Sequence, residues 1–376
     1  MFPIERDFII FTRTSFLFEN MWYNRYNVSF SKGRVAIMNS NDAPTMKDVA
    51  REAGVSLGTV SKVINGIPVG DHYRKQVEAA IKKLDYQVNH YARGLKTNKT
   101  YCVALVMPSL YHPFFAVLTN ELTNCLMRYG YRSILMITNY DSVAEKNCFA
   151  LAQQNKIDGA IALSYSPNPV VDESIPLVTI DRHFSSAIPC VSSDNYRGGE
   201  MAAEALIERG CQNILYLRIG PNIYGEVEKR GPGFENACRI AKVNYQSLIL
   251  SDDDTDAPFY QFLTDHIQDG RLEFDGIFCN TDGLAVRICQ FLKSQNIRIP
   301  EDVQVIGYDG IVDYATGHYA CSTIVQPISD MAETAVKFLL SQDQDLLPAN
   351  VSLPVRFAPG GTTKEFIADH PAAADR

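Results

Sequence analysis

Leu57, Gly58, Thr59, Ser61 and Lys62 are small, polar or basic and fall on one side of a short predicted helix. A slim helix offering such a face can enter a DNA major groove, where side chains meet base edges. A second set is scattered through the rest of the chain. Ser109, Tyr111, Phe114, Asn139, Asp181 with Arg182, Arg230, Asp282, Tyr308 with Asp309, and Gln326 all follow predicted strands, open helices or stand near a predicted crossing. Arginine offers a rigid fork of donors, a carboxylate accepts from hydroxyls, and an aromatic face packs on ring C–H groups. Together they suit a polyhydroxylated small molecule, although each alone also fits a structural polar group at a strand end.

Other chemistry finds little support. The chain has no phosphate loop of the form G-x-x-x-x-G-K-[ST] and no H-E-x-x-H. The acidic run from Asp252 to Asp256 begins like a calcium loop, but Ala257 and Leu263 occupy the positions that need Gly and Glu. The seven His form no acid–base set. The nine Cys are odd in number, lack C-x-x-C spacing and mostly lie in apolar runs, which reads as reduced core thiols in a cytoplasmic protein. A binding protein is expected, with no enzyme chemistry, no metal and no cofactor. No apolar run approaches the roughly 18 residues of a membrane span, so no membrane partner is expected.

The elements that position the first set are compact. Thr45 and Asp48 have the spacing of a capping box, Val49, Ala50 and Ala53 make an apolar face, and Gly54 ends the helix. Ser56 caps a second helix whose Val60, Val63 and Ile64 recur at i, i+3 and i+4. After the breakers Pro68 and Gly70, Asp71 is expected to cap a third helix carrying Val77, Ala80, Ile81 and Leu84, with Arg74, Lys75, Lys82 and Lys83 outward. Residues 45–99 hold ten Lys/Arg and five Asp/Glu, a net of +5, whereas residues 100–376 carry a net of −14. A basic module on an acidic body is the pattern of a DNA-binding protein, despite a whole-chain charge of −8.

The order A-x-x-A-G-V-S-x-x-T-V-S-K-V-I-N-G across residues 50–66 closely resembles the N-terminal signature of the lactose/galactose-repressor family of bacterial transcription regulators. The resemblance runs over about residues 45–365. It implies that Thr45, Ser56, Thr59, Ser61 and Asn65 hold phosphates while Leu57, Gly58 and Lys62 face bases. Asn89, Ala92, Arg93 and Leu95 match the family's N-x-x-A-R-x-L, implying a hinge helix whose leucine wedges into the minor groove. Val88 and Gly94 depart from the family's usual Pro and Ser. The resemblance ranks Arg230 and Asp282 first among effector contacts. It further implies a homodimer on a near-palindromic double-stranded operator, controlled by an effector that is a sugar or sugar derivative. A nucleobase- or protein-controlled regulator of the same family stays open. So do an enzyme with a DNA-binding head and a sugar-uptake binding protein.

At 376 residues the chain needs more than one domain. Residues 1–44 read either as an N-terminal extension or as the product of a misplaced start, with translation beginning at Met38 or Met46. Residues 45–88 form the helix-turn-helix head and 89–100 the hinge. From Tyr101 apolar strands alternate with amphipathic helices, which implies parallel sheets covered on both faces. The series restarts near residue 196, giving two lobes. By resemblance to periplasmic sugar-binding proteins, crossings are expected near Ser192, Gln326 and Leu346. The lobes are then 101–192 with 326–345, and 193–325 with 346–365, leaving a tail at 366–376. The fold class expected is thus multidomain: an all-α head and hinge, then a two-lobed, doubly wound α/β effector domain.

Overall fold

The computed structural model describes residues 44–64, 67–86, 99–166, 175–220, 223, 225–251, 255–313, 315–341 and 347–365. The head contains α1 (Met46–Ala53), α2 (Leu57–Ile64) and α3 (Asp71–Lys83). The capping box forms: Thr45 accepts from the Asp48 amide, and the Asp48 carboxylate accepts from the Thr45 amide at 2.9 Å. Gly54 takes the left-handed conformation, φ 63°, that lets the chain turn sharply out of α1. Val49, Ala50, Ala53, Val60, Val77, Ala80 and Tyr86 build the small core. Asp71 is not the cap of α3 but its first residue. Gly70 holds the cap position without a side-chain bond, because the turn after Pro68 brings the helical conformation one residue earlier than the acidic side chain suggests.

A head this small depends on its caps. Thr45→Ala should lower the local opening free energy of α1 by about 1 kcal/mol, a roughly fivefold loss of amide protection. Hydrogen exchange on the full chain reads this directly, and unchanged protection would show the box to be dispensable.

The second unit holds two six-stranded sheets. The first uses β1 (Cys102–Met107), β2 (Arg132–Ile137), β3 (Gly159–Leu163), β4 (Leu177–Ile180), β5 (Cys190–Ser193) and β13 (Asn350–Leu353), in the order β13-β5-β4-β3-β1-β2. Its strand pairs are all parallel, with Val103 opposite both Ser133 and Gly159. Helices α4 (Pro113–Arg128), α5 (Ser142–Gln154) and α10 (Ile328–Leu340) belong to this lobe. The second sheet uses β6 (Asn213–Ile219), β7 (Asn244–Leu250), β10 (Gly276–Cys279), β11 (Gln304–Asp309), β12 (Ser322–Val325) and β14 (Arg356–Ala358), in the order β14-β12-β11-β10-β6-β7. It carries α6 (Asn195–Ile207), α7 (Arg230–Ala241), α8 (Ala257–Asp265) and α9 (Asp282–Ser294), and β8 (Ile267–Gln268) and β9 (Arg271–Leu272) form a short hairpin. Only β14 runs antiparallel to its neighbour in this sheet.

Fully buried strands such as β1, apolar at every position, need cover on both faces, and each sheet has a core cluster on either side. The chain changes sheet after Ser193, after Val325 and again between Leu353 and Arg356. The last change is later than the expected position near Leu346, because β13 pairs with β5 and so stays with the first lobe. Strand β2 begins two residues before the expected Ile134 and β7 four before Leu248. Both are edge strands whose half-exposed residues shorten the apolar signal. No helix of the described residues is long and apolar enough to cross a membrane.

Candidate functional site

In the head, Leu57, Gly58 and Lys62 are exposed along α2 while Val60 is fully buried, so the helix presents the face read from sequence. Ser56 and Thr59 are engaged with each other: Ser56 Oγ accepts from the Thr59 amide (3.1 Å) and the two hydroxyl oxygens are 2.9 Å apart. Thr45 is exposed and Ser61 half-buried. Asn65, Asn89, Arg93 and Leu95 lie outside the described residues.

The second unit has a cavity, open to solvent, where the carboxyl ends of both sheets meet. Arg230 opens α7 and lines it, 3 % exposed. Its Nε donates to Asn195 Oδ1 (2.7 Å), its Nη1 donates to the Asn280 carbonyl (2.6 Å), and its guanidinium carbon lies 3.5 Å from the Tyr308 ring centroid. Helix packing fixes this position. Gly199 of α6 and Gly233 of α7 let the two helices touch backbone to backbone: a Cβ on Gly199 would collide with the Arg230 carbonyl, and one on Gly233 with that of Tyr196.

Asp309 ends β11 and Gln326 follows β12. Gln326 Nε2 donates to Asp309 Oδ1 (2.8 Å), while Gln326 Oε1 accepts from Ser193 Oγ (2.8 Å). His112 approaches Asp309 from the first lobe at 4.0 Å, and burial holds its imidazole below its usual pKa against the pull of Asp309. Arg218 donates to Glu228 Oε1 (2.6 Å) on the cavity wall. Phe114, Phe115, Tyr140 and Tyr165 supply an aromatic side. Non-glycine residues with positive φ recur at these strand ends: Asn139 at 49°, Tyr140 at 62°, Asp181 at 57° and Asp309 at 122°. Such backbone costs about 1–3 kcal/mol per residue and tends to gather at functional sites.

Asp181 is the most exceptional group. It is 5 % exposed, lines the cavity, and its Oδ1 is buried with no hydrogen-bond partner. Burial, opposed by Arg230, pushes its carboxyl up to about 7. A raised carboxyl favours folding while the native group holds a proton that the unfolded chain has released. That contribution is complete below about pH 4 and is lost as pH climbs to about 7. Wild type should therefore lose stability relative to Asp181→Asn across this window, with a slope approaching about 1.4 kcal/mol per pH unit. Denaturant unfolding at pH 4.5–7.5 measures it, and a pH-independent difference would contradict the protonated native form.

Of the sequence-derived set, Phe114, Asp181, Arg230, Asp309 and Gln326 line the cavity, Arg182 lines the small compartment beside it and Tyr308 packs against Arg230. Four do none of these. Ser109 is buried and its Oγ accepts from the Tyr111 amide, and Tyr111 itself is 98 % exposed. Asn139 is exposed at the turn after β2. Asp282 lies at the first turn of α9 with its carboxylate turned into the lobe, accepting from Thr323 Oγ1 (2.6 Å) and the Ile311 amide (2.8 Å). His112, Phe115, Tyr140, Tyr165, Arg218, Glu228, Asn280 and Thr281 line the cavity without having been singled out. Tyr165, Tyr140 and Asn280 each follow a strand within three residues, so the strand-end rule applied evenly would have found them.

A three-helix head with an exposed polar second helix, joined to a two-lobed α/β unit with a ligand-sized cleft, defines a DNA-binding regulator that senses a small molecule. Residues 45–89 match the bacterial regulatory proteins of the lacI family, and residues 100–333 match the periplasmic binding proteins and sugar binding domain of the LacI family. The chain belongs to the LacI family of bacterial regulatory proteins. Among its relatives, the sucrose operon repressor of Streptococcus mutans is 32% identical over 322 residues, covering 84% of this chain and 98% of the relative. The ribose operon repressor of Bacillus subtilis is 32% identical over 329 residues, covering 85% and 99%. A periplasmic binding protein/LacI transcriptional regulator from Alkaliphilus metalliredigens QYMF, solved with D-xylulofuranose, superposes with a TM-score of 0.61 at 27% identity, covering 70% of this chain and all of that one.

Proposed function

We propose that this chain is a sugar-controlled transcriptional repressor that binds a near-palindromic operator as a homodimer in the cytoplasm. The observation that carries the sugar reading is the unpartnered Asp181 Oδ1 on a cavity wall shared with Arg230, opposite aromatic side chains. Hydroxyl groups satisfy such an acceptor, and rings pack on such a wall. The names of the sucrose and ribose operon repressors point the same way. The effector contacts are Phe114, Asp181, Arg230, Asp309 and Gln326. Asp282 positions the loop after β11 through the Ile311 amide.

On DNA, Thr45, Ser56, Thr59, Ser61 and Asn65 hold phosphates and Leu57, Gly58 and Lys62 face bases, with Asn89, Arg93 and Leu95 in the hinge. Two edge strands support dimerisation: Ile134 and Leu135 on β2, and Tyr245 and Ile249 on β7, are exposed apolar residues. Nine buried free thiols support a reducing compartment. Effector binding shifts one lobe against the other and thereby changes operator affinity. A second reading, a purine effector, draws on the aromatic wall alone.

The test is selection of host genomic fragments by the purified full chain, with and without a panel of sugars and purines. Recovery of a discrete near-palindromic site whose occupancy a sugar changes is expected. Indifference to every sugar, with a purine active, would replace the reading.

A further inference from the structure

Asp181 and Arg230 come from different lobes, yet both line one cavity. Their separation depends on what ties the lobes together beside them. Asp181 and His183 follow β4 in the first lobe, and Glu226 stands four residues before Arg230 in the second. Asp181, at its positive φ, accepts through its carbonyl from the Glu226 amide at 3.0 Å. The backbones approach so closely that a Cβ on Gly225 would lie 3.2 Å from the same carbonyl. The Glu226 carboxylate, 6 % exposed, is addressed from both lobes. Lys229 of the same turn donates to its two oxygens at 2.8 Å, and His183 Nε2 reaches Oε1 from across the cleft at 3.5 Å. A buried carboxylate depends strongly on the cations around it.

Resting on the reading of this cavity as an effector site, we infer that His183 and Glu226 are positioning residues that clasp the two lobes. The clasp holds Asp181 and Arg230 at the separation the effector needs, and its strength sets effector affinity. Neither His183 nor Glu226 lines the cavity. A ligand that binds the clasped arrangement has its affinity scaled by the fraction of chains in which the clasp is shut. A changed charge at position 183 therefore moves affinity while every ligand contact stays in place.

Residue-resolved hydrogen exchange on the ligand-free full chain reads the clasp through the Glu226 amide. Its protection should hold or rise in His183→Lys, which keeps a cation there. It should fall about tenfold in His183→Glu, which sets a like charge beside a buried carboxylate. Equal protection in wild type and His183→Glu overturns the clasp. Titration calorimetry with ribose, fructose, glucose and sucrose reads the consequence. For the sugar that binds, His183→Glu should weaken binding by about fivefold or more and His183→Lys by less than about twofold. In a Glu226→Gln background the two variants should bind alike, because the charge they address is gone. Equal loss in both single variants, or a difference that persists in that background, overturns the assignment of the His183–Glu226 pair. Unchanged affinity alongside a deprotected Glu226 amide overturns the link from clasp to effector. Binding of none of the four sugars counts against the sugar reading, while the exchange result still decides whether the clasp exists.

Discussion

Arg230→Ala should abolish sugar-induced thermal stabilisation and lower the stability of the ligand-free chain by about 3–5 kcal/mol, the usual cost of removing one partner from a buried charged cluster. Both effects have one cause. Arg230 is the cation facing Asp181 and Asp309 from beneath the cavity, and its fork is already aimed by Asn195, Asn280 and Tyr308. Without it two buried carboxylates lose their counter-charge and the ligand loses its strongest donor. Arg230→Lys should recover part of the stability and little of the sugar response, because an ammonium cannot reproduce the planar fork. Differential scanning with and without the effector reads both quantities. A full shift retained by Arg230→Ala would remove Arg230 from the binding site.

The second large effect is expected far from any ligand atom. Gly199→Ala and Gly233→Ala each place a methyl group against a backbone carbonyl of the opposing helix, and backbone in two packed helices cannot yield as a side-chain tip can. Each should cost about 3 kcal/mol or more, at the upper end of overpacking losses. Each should also weaken sugar binding by moving Arg230, the first residue of α7. Gly58→Ala is the contrast: only Ser56 Oγ, at 3.7 Å, approaches that position, so the better helix propensity should stabilise the head by up to about 1 kcal/mol. Urea denaturation separates the cases. Equal small effects at Gly199 and Gly58 would show that α6 and α7 can separate without loss.

The architecture was largely legible because its grammar is hydrophobic. Cys102–Met107 and Gly159–Leu163 are continuous apolar runs, and only strands covered on both faces read that way. The short, polar β5 and β12, with Ser192, Ser193, Ser322 and Thr323, gave no such signal. The buried hydroxyls of Ser193 and Ser322 are satisfied by Gln326 and Thr363, residues 40 or more positions away. Arg230 was singled out as the residue opening R-G-P-G-F before a helix and ranked by the family resemblance. Asp282 shows what strand-end reasoning leaves out, since at the first turn of α9 its carboxylate is taken up by Thr323 and the Ile311 amide. The Arg218–Glu228 pair was invisible for a different reason: one residue lies within β6 and the other in the turn before α7, and only the folded lobe makes them neighbours.

If the head and the cleft are two sites of one switch, their affinities are linked. The most direct measurement titrates the selected operator fragment with and without saturating sugar, and the sugar with and without saturating operator, under the same salt. The two affinity ratios should be equal and differ from unity by about 5–150-fold, the range expected for a coupling of 1–3 kcal/mol. Operator affinity unchanged by a sugar that demonstrably fills the cavity would contradict the coupling of the two sites.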